Sequence, residues 1–404
     1  MTAAATPLSD VTGHHARVSP LCVAVVTETY PPEVNGVAMT LRWLVEGLRG
    51  AGYRLHLILP RRAERTACDL DGVVVTNVPA LPLPGYPALR FGLPANRALR
   101  RAWRERRPDV VYVATQGPLG MSVARLARRL GIPIVSGFHT NFHRYSAYYH
   151  VAWLSAAIVC YLRYFHRNTV FTLVPTDEAA RELEGLGIAN ARVLGRGVDT
   201  KLFHPAKRCD ALRRSWGADD KDPVLLYVSR LASEKNLDLA IAAARTVREH
   251  FSTARMVFVG DGPEEARLRA NCPDFIFCGL QQGEALAAHY ASADIFIFPS
   301  LSETFGNVVL EAMASGLPVV SYDIAAAHRH LRNGENGVSV PPENAAAFVL
   351  GALALAASPE VRKRLGENAR AHAEALCWSR IVADFADLLA AAVHANARIG
   401  AEAR

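Results

Sequence analysis

Short apolar runs recur along the chain, each leading through a polar or glycine-bearing turn into a stretch of helical periodicity. In the first half the runs are Val23–Thr27, Leu55–Leu59, Val73–Val78, Val110–Ala114, Ile134–Phe138 and Val170–Val174. In the second half they are Val224–Val228, Met256–Val259, Phe275–Cys278 and Ile295–Phe298. Runs this largely apolar, without strict alternation, predict strands buried on both faces, as in parallel sheets. The spacing between them predicts helices over 37–49, 96–107, 119–130 and 237–250, with further helices over 344–357, 359–376 and 379–395. Gly50 and Gly52 stop the first of these. Alternation of this kind gives an α/β chain with mostly parallel sheets, and 404 residues suit two such domains.

The pattern loosens between Arg196 and Pro223, where Pro, Gly and charge cluster, so a linker is expected near 200–222. The chain then divides into a disordered lead-in over 1–20, a Rossmann-like domain over 21–205 and a second over 206–378. A last helix over 379–404 is expected to cross back onto the first domain.

Composition removes several classes. No segment approaches the ~18 uninterrupted apolar residues of a membrane span; the nearest, Val151–Leu162, is short and contains Ser155. The first twenty residues lack an apolar signal core and carry His14, His15 and Arg17. Seven scattered cysteines without a C-x-x-C pair fit reduced thiols in a cytoplasmic setting. Charge is lopsided: residues 1–200 hold 23 arginines against 14 acidic residues, whereas 201–404 hold 22 basic against 24 acidic. An excess confined to one half points to an anionic partner for that half, such as a membrane surface. The stretch NRALRRAWRERR over 96–107 concentrates this charge. It fits either a helix lying on an acidic membrane or a solvated helix that docks Trp103 on its own sheet. No nucleic-acid module is recognisable, so a nucleic-acid partner is not expected.

The candidate chemistry gathers on Asp294–Asp323. There a buried strand ends at Pro299-Ser300, a polar turn carries Glu303, and a helical pattern opens at Gly306 and runs through Glu311. Amides and the dipole at such a helix start favour a phosphate. Carboxylates do not bind phosphate, so Glu303 and Glu311 would face hydroxyl groups of the same ligand; phosphate with polyol points to a nucleotide sugar. Arg230 and Lys235 straddle the exit of the strand Val224–Val228, placed to neutralise a diphosphate. The alternative there is a surface ion pair with Glu234. Gly260-Asp261-Gly262-Pro263 makes a tight turn after the next strand. In the first half, Gly36 follows the first strand without a G-x-G-x-x-G fingerprint. His139 follows a strand directly, where ligands collect in open α/β sheets. His143, Tyr145, Tyr148, Tyr149 and His150 fit a sugar-stacking or acceptor groove, and equally a loop packed on its domain. Asp69-Leu70-Asp71 is a nominal D-x-D but sits in a polar loop before Gly72 and reads as a surface turn, so no metal constellation is present.

Glu303-x7-Glu311, Arg230-x4-Lys235, the Gly260–Pro263 turn, His139 after a strand and Asn35-Gly36 after the first strand occur together in order. Together they resemble the retaining glycosyltransferases of family 4, over about residues 22–395. Phe138-His139-Thr140-Asn141-Phe142 and Ser302-Glu303-Thr304-Phe305-Gly306 carry a narrower likeness, to bacterial GDP-mannose-dependent α-mannosyltransferases and related lipid hexosyltransferases. The resemblance implies the GT-B fold, two Rossmann-like domains facing across a cleft. It implies that Arg230 and Lys235 hold the donor diphosphate, and that the amides of Phe305, Gly306 and Asn307 add donors there. Glu311 would bind the ribose hydroxyls, Glu303 those of the transferred sugar, and His139 would lie over the sugar. Gly36 would let the first domain close on the phosphate, with Gly260 and Gly262 among the donor-binding positions. Many family members have Gly at position 304; Thr304 narrows the backbone there and puts donor choice in doubt.

The paired carboxylates superficially suggest a retaining glycoside hydrolase, but their helical placement beside a phosphate corner makes them ligand-holding groups. The expected reaction is front-face transfer needing no metal or other cofactor, with the nucleotide sugar as substrate. The acceptor is expected to be a lipid or sugar, the location cytoplasmic and peripheral on the inner face of the cell membrane. A UDP-sugar-dependent transferase, a nucleotide-sugar epimerase, a phosphorylase and a non-catalytic binding protein are the competing readings.

Overall fold

The computed structural model describes residues 21–33, 35–61, 71–83, 86–139 and 155–402. The lead-in over 1–20, Asp69-Leu70 of the D-x-D, the cluster from His143 to His150 and residues 151–154 of the apolar stretch lie outside the described residues.

Among the described residues of the first half there are nine strands: β1 (Cys22–Val26), β2 (Arg54–Pro60), β3 (Val73–Val78), β4 (Ala80–Leu83), β5 (Tyr86–Gly92), β6 (Val110–Val113), β7 (Ile134–Gly137), β8 (Phe171–Val174) and β9 (Ala191–Val193). Seven form one parallel sheet in the order β3-β2-β1-β6-β7-β8-β9. The second half contributes β10 (Val224–Val228), β11 (Arg255–Val259), β12 (Ile276–Phe277), β13 (Ile295–Phe298), β14 (Val319–Tyr322) and β15 (Gly337–Val340). They make a second parallel sheet ordered β12-β11-β10-β13-β14-β15. Most of the apolar runs give buried strands as expected, and β1 and β10 are buried at every residue, whereas the edge strands β3 and β12 are largely half-buried or exposed.

Both sheets reverse direction at the strand that opens them. In the first, β1 lies between β2 and β6; in the second, β10 lies between β11 and β13. A ligand crevice forms beyond the carboxyl ends of the strands at such a switch point. The loops leaving β1, β6, β10 and β13 therefore carry the candidate site.

The hairpin β4–β5 is antiparallel and separate from both sheets. Its prolines hide it from a reading by pattern, because proline fits only strands with an open edge; a two-stranded ribbon is all edge. The Glu28 carboxylate accepts the amide of Gly92, which ties the hairpin to the loop after β1.

The helix Trp378–Glu402 packs into the first core through Val382, Phe385, Leu389 and Ala392, an i, i+3, i+4 stripe. Phe385 meets Tyr112 edge-on at 4.9 Å, and Trp43 stacks on Trp378 at 5.7 Å. A Cβ at Gly47 would collide with Val382, so glycine lets the helix Gly36–Gly50 lie close against it. The chain changes cores between Leu194 and Val198, upstream of the Pro-rich stretch. Val198 donates its amide to Leu376, and a Cβ on Gly197 would stand 2.8 Å from the Trp378 nitrogen, so the outward and return crossings touch.

The basic helix spans Asn96–Glu105 and docks inward through Trp103. The indole donates to His56 Nδ1 at 3.2 Å, and His56 Nε2 lies 2.8 Å from Thr76 Oγ1. Burial pulls this imidazole down to about 4, so it stays neutral. Arg97, Arg100, Arg101 and Arg104 remain exposed. Among the described residues no helix is long and apolar enough to cross a membrane.

Candidate functional site

The exit of β10 is built by close backbone packing. Ser229 donates to Val259, Leu231 donates to Asp261 at 2.7 Å, and Glu264 donates back to Leu231. Gly260 and Gly262 adopt φ of 131° and 153°, and a Cβ on either would strike the carbonyl oxygen of Ser229 or Leu231. Only glycine combines that conformation with that approach. The structure thus gives both glycines a backbone role: they support the strap that carries Arg230.

A short 3-10 turn, Ser233–Lys235, follows and ends at Asn236, a left-handed residue that leads into the helix Leu237–His250. Glu234 pairs with Arg230, and Asn236 donates its amide to the Pro299 carbonyl at 3.2 Å. Lys235 reaches over the end of β13, with its ammonium 2.5 Å from Glu303 Oε1 and 6.0 Å from the centre of the Phe298 ring. The expected strand–turn–helix corner is present beside it. Gly306 takes φ 89° at the mouth of the helix Asn307–Ala314, and its Cα region packs on Glu303 and Phe298. Amides at this helix start have no intrahelical acceptor and point outward.

Glu311 lies one turn along the same helix. The Tyr290 hydroxyl donates to its Oε2 at 2.9 Å. Burial pushes this carboxyl up to about 7, and the tyrosine bond opposes the shift. The first half faces this corner through the loop after β1. Asn35 caps the helix Gly36–Gly50 by accepting the Ala38 amide at 2.9 Å, and its own amide donates to Thr29. A Cβ at Gly36 would stand 3.4 Å from Asn307 Nδ2, so this glycine directly faces the phosphate-corner helix.

Lys235, Glu303, Gly306, Asn307 and Gly36 are therefore linked by direct neighbours, with Arg230 on the same strap as Lys235. His139 follows β7 and is buried, with Nδ1 at 2.8 Å from Arg196 Nη2 and Nε2 at 2.8 Å from Tyr112. The guanidinium can only donate, so Nδ1 accepts and the proton sits on Nε2. Burial and then the Arg196 charge hold this imidazole well below its usual value, hence neutral. Burial also lowers Arg196, to about 10, which leaves it charged at neutral pH.

Glu234, Tyr290, Tyr112 and Arg196 carry no motif of their own. Arg196 lies within the loosened stretch, Tyr112 and Tyr290 join their partners across the fold, and Glu234 stands four residues from Arg230. Past the carboxyl ends of β8 and β14, Arg329 meets Asp177 at 2.7 Å and His328 meets Glu178 at 2.9 Å, joining the short helix Ala325–His330 to the start of the helix Asp177–Gly185. Among the described residues no three His, Cys, Asp or Glu side chains converge as a metal site.

Comparison with known proteins adds the family. Residues 34–202 match Glycosyltransferase Family 4, and residues 209–372 match Glycosyl transferases group 1. The chain is 36% identical over 325 residues to the GDP-mannose-dependent alpha-mannosyltransferase of Mycobacterium tuberculosis, covering 79% of this chain and 83% of that one. It is 30% identical to the sulfoquinovosyl transferase SQD2 of Arabidopsis thaliana, covering 89% of this chain and 71% of that one. Anabaena HepE, solved with UDP and glucose, shares the fold with a TM-score of 0.73 at 18% identity, over 92% of this chain and 99% of that one. The chain belongs to glycosyltransferase family 4 and is a retaining glycosyltransferase of the GT-B fold.

Proposed function

We propose that the protein transfers mannose from GDP-mannose, with retention, to a lipid or glycolipid acceptor at a membrane surface. The observation that carries the site reading is the Lys235–Glu303 contact beside the Gly306-opened helix, with Gly36 facing it from the first domain. A cation for phosphate and a carboxylate for hydroxyls stand within one hydrogen bond of each other there. Similarity to the mycobacterial GDP-mannose-dependent enzyme supports the donor.

In this reading Arg230, Lys235 and the amides from Phe305 to Asn307 hold the diphosphate. Glu311 accepts from the ribose and Glu303 from the sugar, while Gly260 and Gly262 support the strap. His139 contributes a neutral wall over the sugar, its tautomer fixed by Arg196. The acceptor oxygen bonds to the anomeric carbon on the face from which the diphosphate leaves. The anomeric carbon–oxygen bond to phosphate breaks, and the departing phosphate oxygen takes the acceptor proton. Arg230 and Lys235 stabilise the charge that develops on it, so the reaction requires no metal. Lys235→Ala and Glu303→Ala should each lower kcat by about 10²–10³-fold; near-native rates in both variants would refute the site.

A different nucleotide sugar is the second reading, favoured by Thr304 and by the sulfoquinovosyl relative. At the amino ends of β6 and β7, opposite the strand ends that carry the candidate site, Arg100, Arg104, Arg107 and Arg129 line an open surface hollow with Trp103 and Leu130. Because Trp103 is buried, membrane contact through this face would be electrostatic and peripheral. Binding to vesicles of anionic lipid should fall steeply as salt rises; salt-independent binding would count against it.

A further inference from the structure

We infer that Glu234 is a positioning residue for the donor diphosphate, fixing the orientation of the Arg230 guanidinium at the exit of β10. The inference rests on the proposed function, in which Arg230 meets that diphosphate. The Glu234 side chain is 1% exposed, whereas that of Arg230 is 46% exposed. Their contact is thus a buried carboxylate gripping a half-exposed guanidinium, unlike the surface pair that was the alternative reading of this spacing.

The turn around Glu234 distributes three consecutive side chains. Glu234 reaches back to Arg230, Lys235 crosses to Glu303, and Asn236 is anchored to the Pro299 carbonyl. The backbone is pinned by Leu231 to Asp261 and by Lys235 to Ala232, so the carboxylate has little room to move. A carboxylate taken out of water needs a paired cation, and Arg230 supplies it. Burial, with Glu303 and then Glu234 adding to it, holds the Tyr227 hydroxyl well above its usual value, so both carboxylates act on this one buried group. Each strap cation thus meets a carboxylate: Arg230 meets Glu234 on the strap itself, and Lys235 meets Glu303 on the turn after β13.

Simple electrostatics disfavours this placement, because an anion beside a phosphate-binding arginine weakens attraction for phosphate. The benefit is geometric. Arginine has a long, flexible stem and a planar fork of donors, and its strength with phosphate depends on the fork's orientation. Glu234 holds one edge of that fork before the ligand arrives.

The two effects have opposite signs, which makes the inference testable. GDP and UDP are titrated calorimetrically into the full-length protein and its variants. Glu234→Gln keeps the shape and removes the charge; it should bind nucleoside diphosphate about tenfold more weakly. Unchanged or tighter binding would overturn the inference, since it would mean that the carboxylate only subtracts charge. The loss should vanish in an Arg230→Gln background, because the two residues act as one unit. A loss of the same size in that background would also overturn it. If Glu234→Gln does not fold, Glu234→Asp keeps the charge and retracts it by one methylene; a raised donor KM at near-native Tm is expected, and native KM and affinity would overturn the inference. A wild-type protein that binds neither GDP nor UDP would instead remove the proposed function, and with it this inference.

Discussion

Glu311 shows how one residue's surroundings set its chemistry. In the proposed reading it accepts from ribose hydroxyls, far more strongly when ionised, and burial raises its pKa to about 7. The ionised fraction grows as pH rises through that value, so donor kcat/KM should climb between about pH 6 and 8. Tyr290→Phe removes the bond that stabilises the charged form and should move the midpoint upward; superimposable pH profiles would contradict the assignment. Proton linkage runs the other way for stability. A carboxyl raised in the folded state binds its proton more tightly there, so its contribution to stability falls as pH rises from the ordinary carboxylate range toward about 7. Arg230, Lys235, Glu303 and Glu311 were legible in the sequence because each lies in a local strand-end or helix-start pattern. Their supports were not. Tyr290 reaches Glu311 across 21 residues and Arg196 reaches His139 across 57, and no periodicity encodes such pairs. The Arg230–Glu234 pair was visible from its spacing, but its burial depends on the glycine turn packed beneath it.

At the scale of elements, the Gly260–Pro263 turn gives the sharpest structural test. Gly260→Ala would combine a left-handed φ with a collision on the Ser229 carbonyl and should cost about 3 kcal/mol. That corresponds to a fall in Tm of roughly 10 °C in a domain of this size. Gly279→Ala is the control: its φ is 64°, nothing lies within 4 Å, and it should cost about 1 kcal/mol. Equal melting of the two variants would contradict a supporting role for Gly260. The strands were largely readable because parallel strands buried on both faces leave continuous apolar runs. The hairpin β4–β5 and the three-residue edge strand β9 were not, since proline interrupts both strands of the first and the second is too short to show a run.

For the whole molecule, two sheets, one returning helix and a pair of ion contacts define the arrangement. The Trp43–Trp378 stack and the touching crossings at Gly197 and Trp378 join the halves at one end. Asp177–Arg329 and Glu178–His328 join them at the cleft. These contacts are partly exposed, and each is worth at most about 1 kcal/mol. A His328→Ala, Arg329→Ala double variant should therefore raise donor KM by no more than roughly tenfold, with a larger radius of gyration by X-ray scattering. An unchanged radius and KM would show that the contacts do not hold the cleft closed. The return of the last helix was legible as a helix whose stripe needed a partner, whereas the point of crossing was not, because surface composition does not report which core a residue joins.

The central claim is that one cleft transfers a hexose from a nucleotide sugar, with Lys235 and Glu303 at its heart. The most direct measurement supplies GDP-mannose, UDP-glucose and UDP-N-acetylglucosamine separately to the full-length protein with a lipid acceptor extract, and reads released nucleoside diphosphate. Acceptor-dependent release of GDP from GDP-mannose, lost in Lys235→Ala and in Glu303→Ala, is the expected result. No release from any donor, or release undiminished in both variants, would contradict the account.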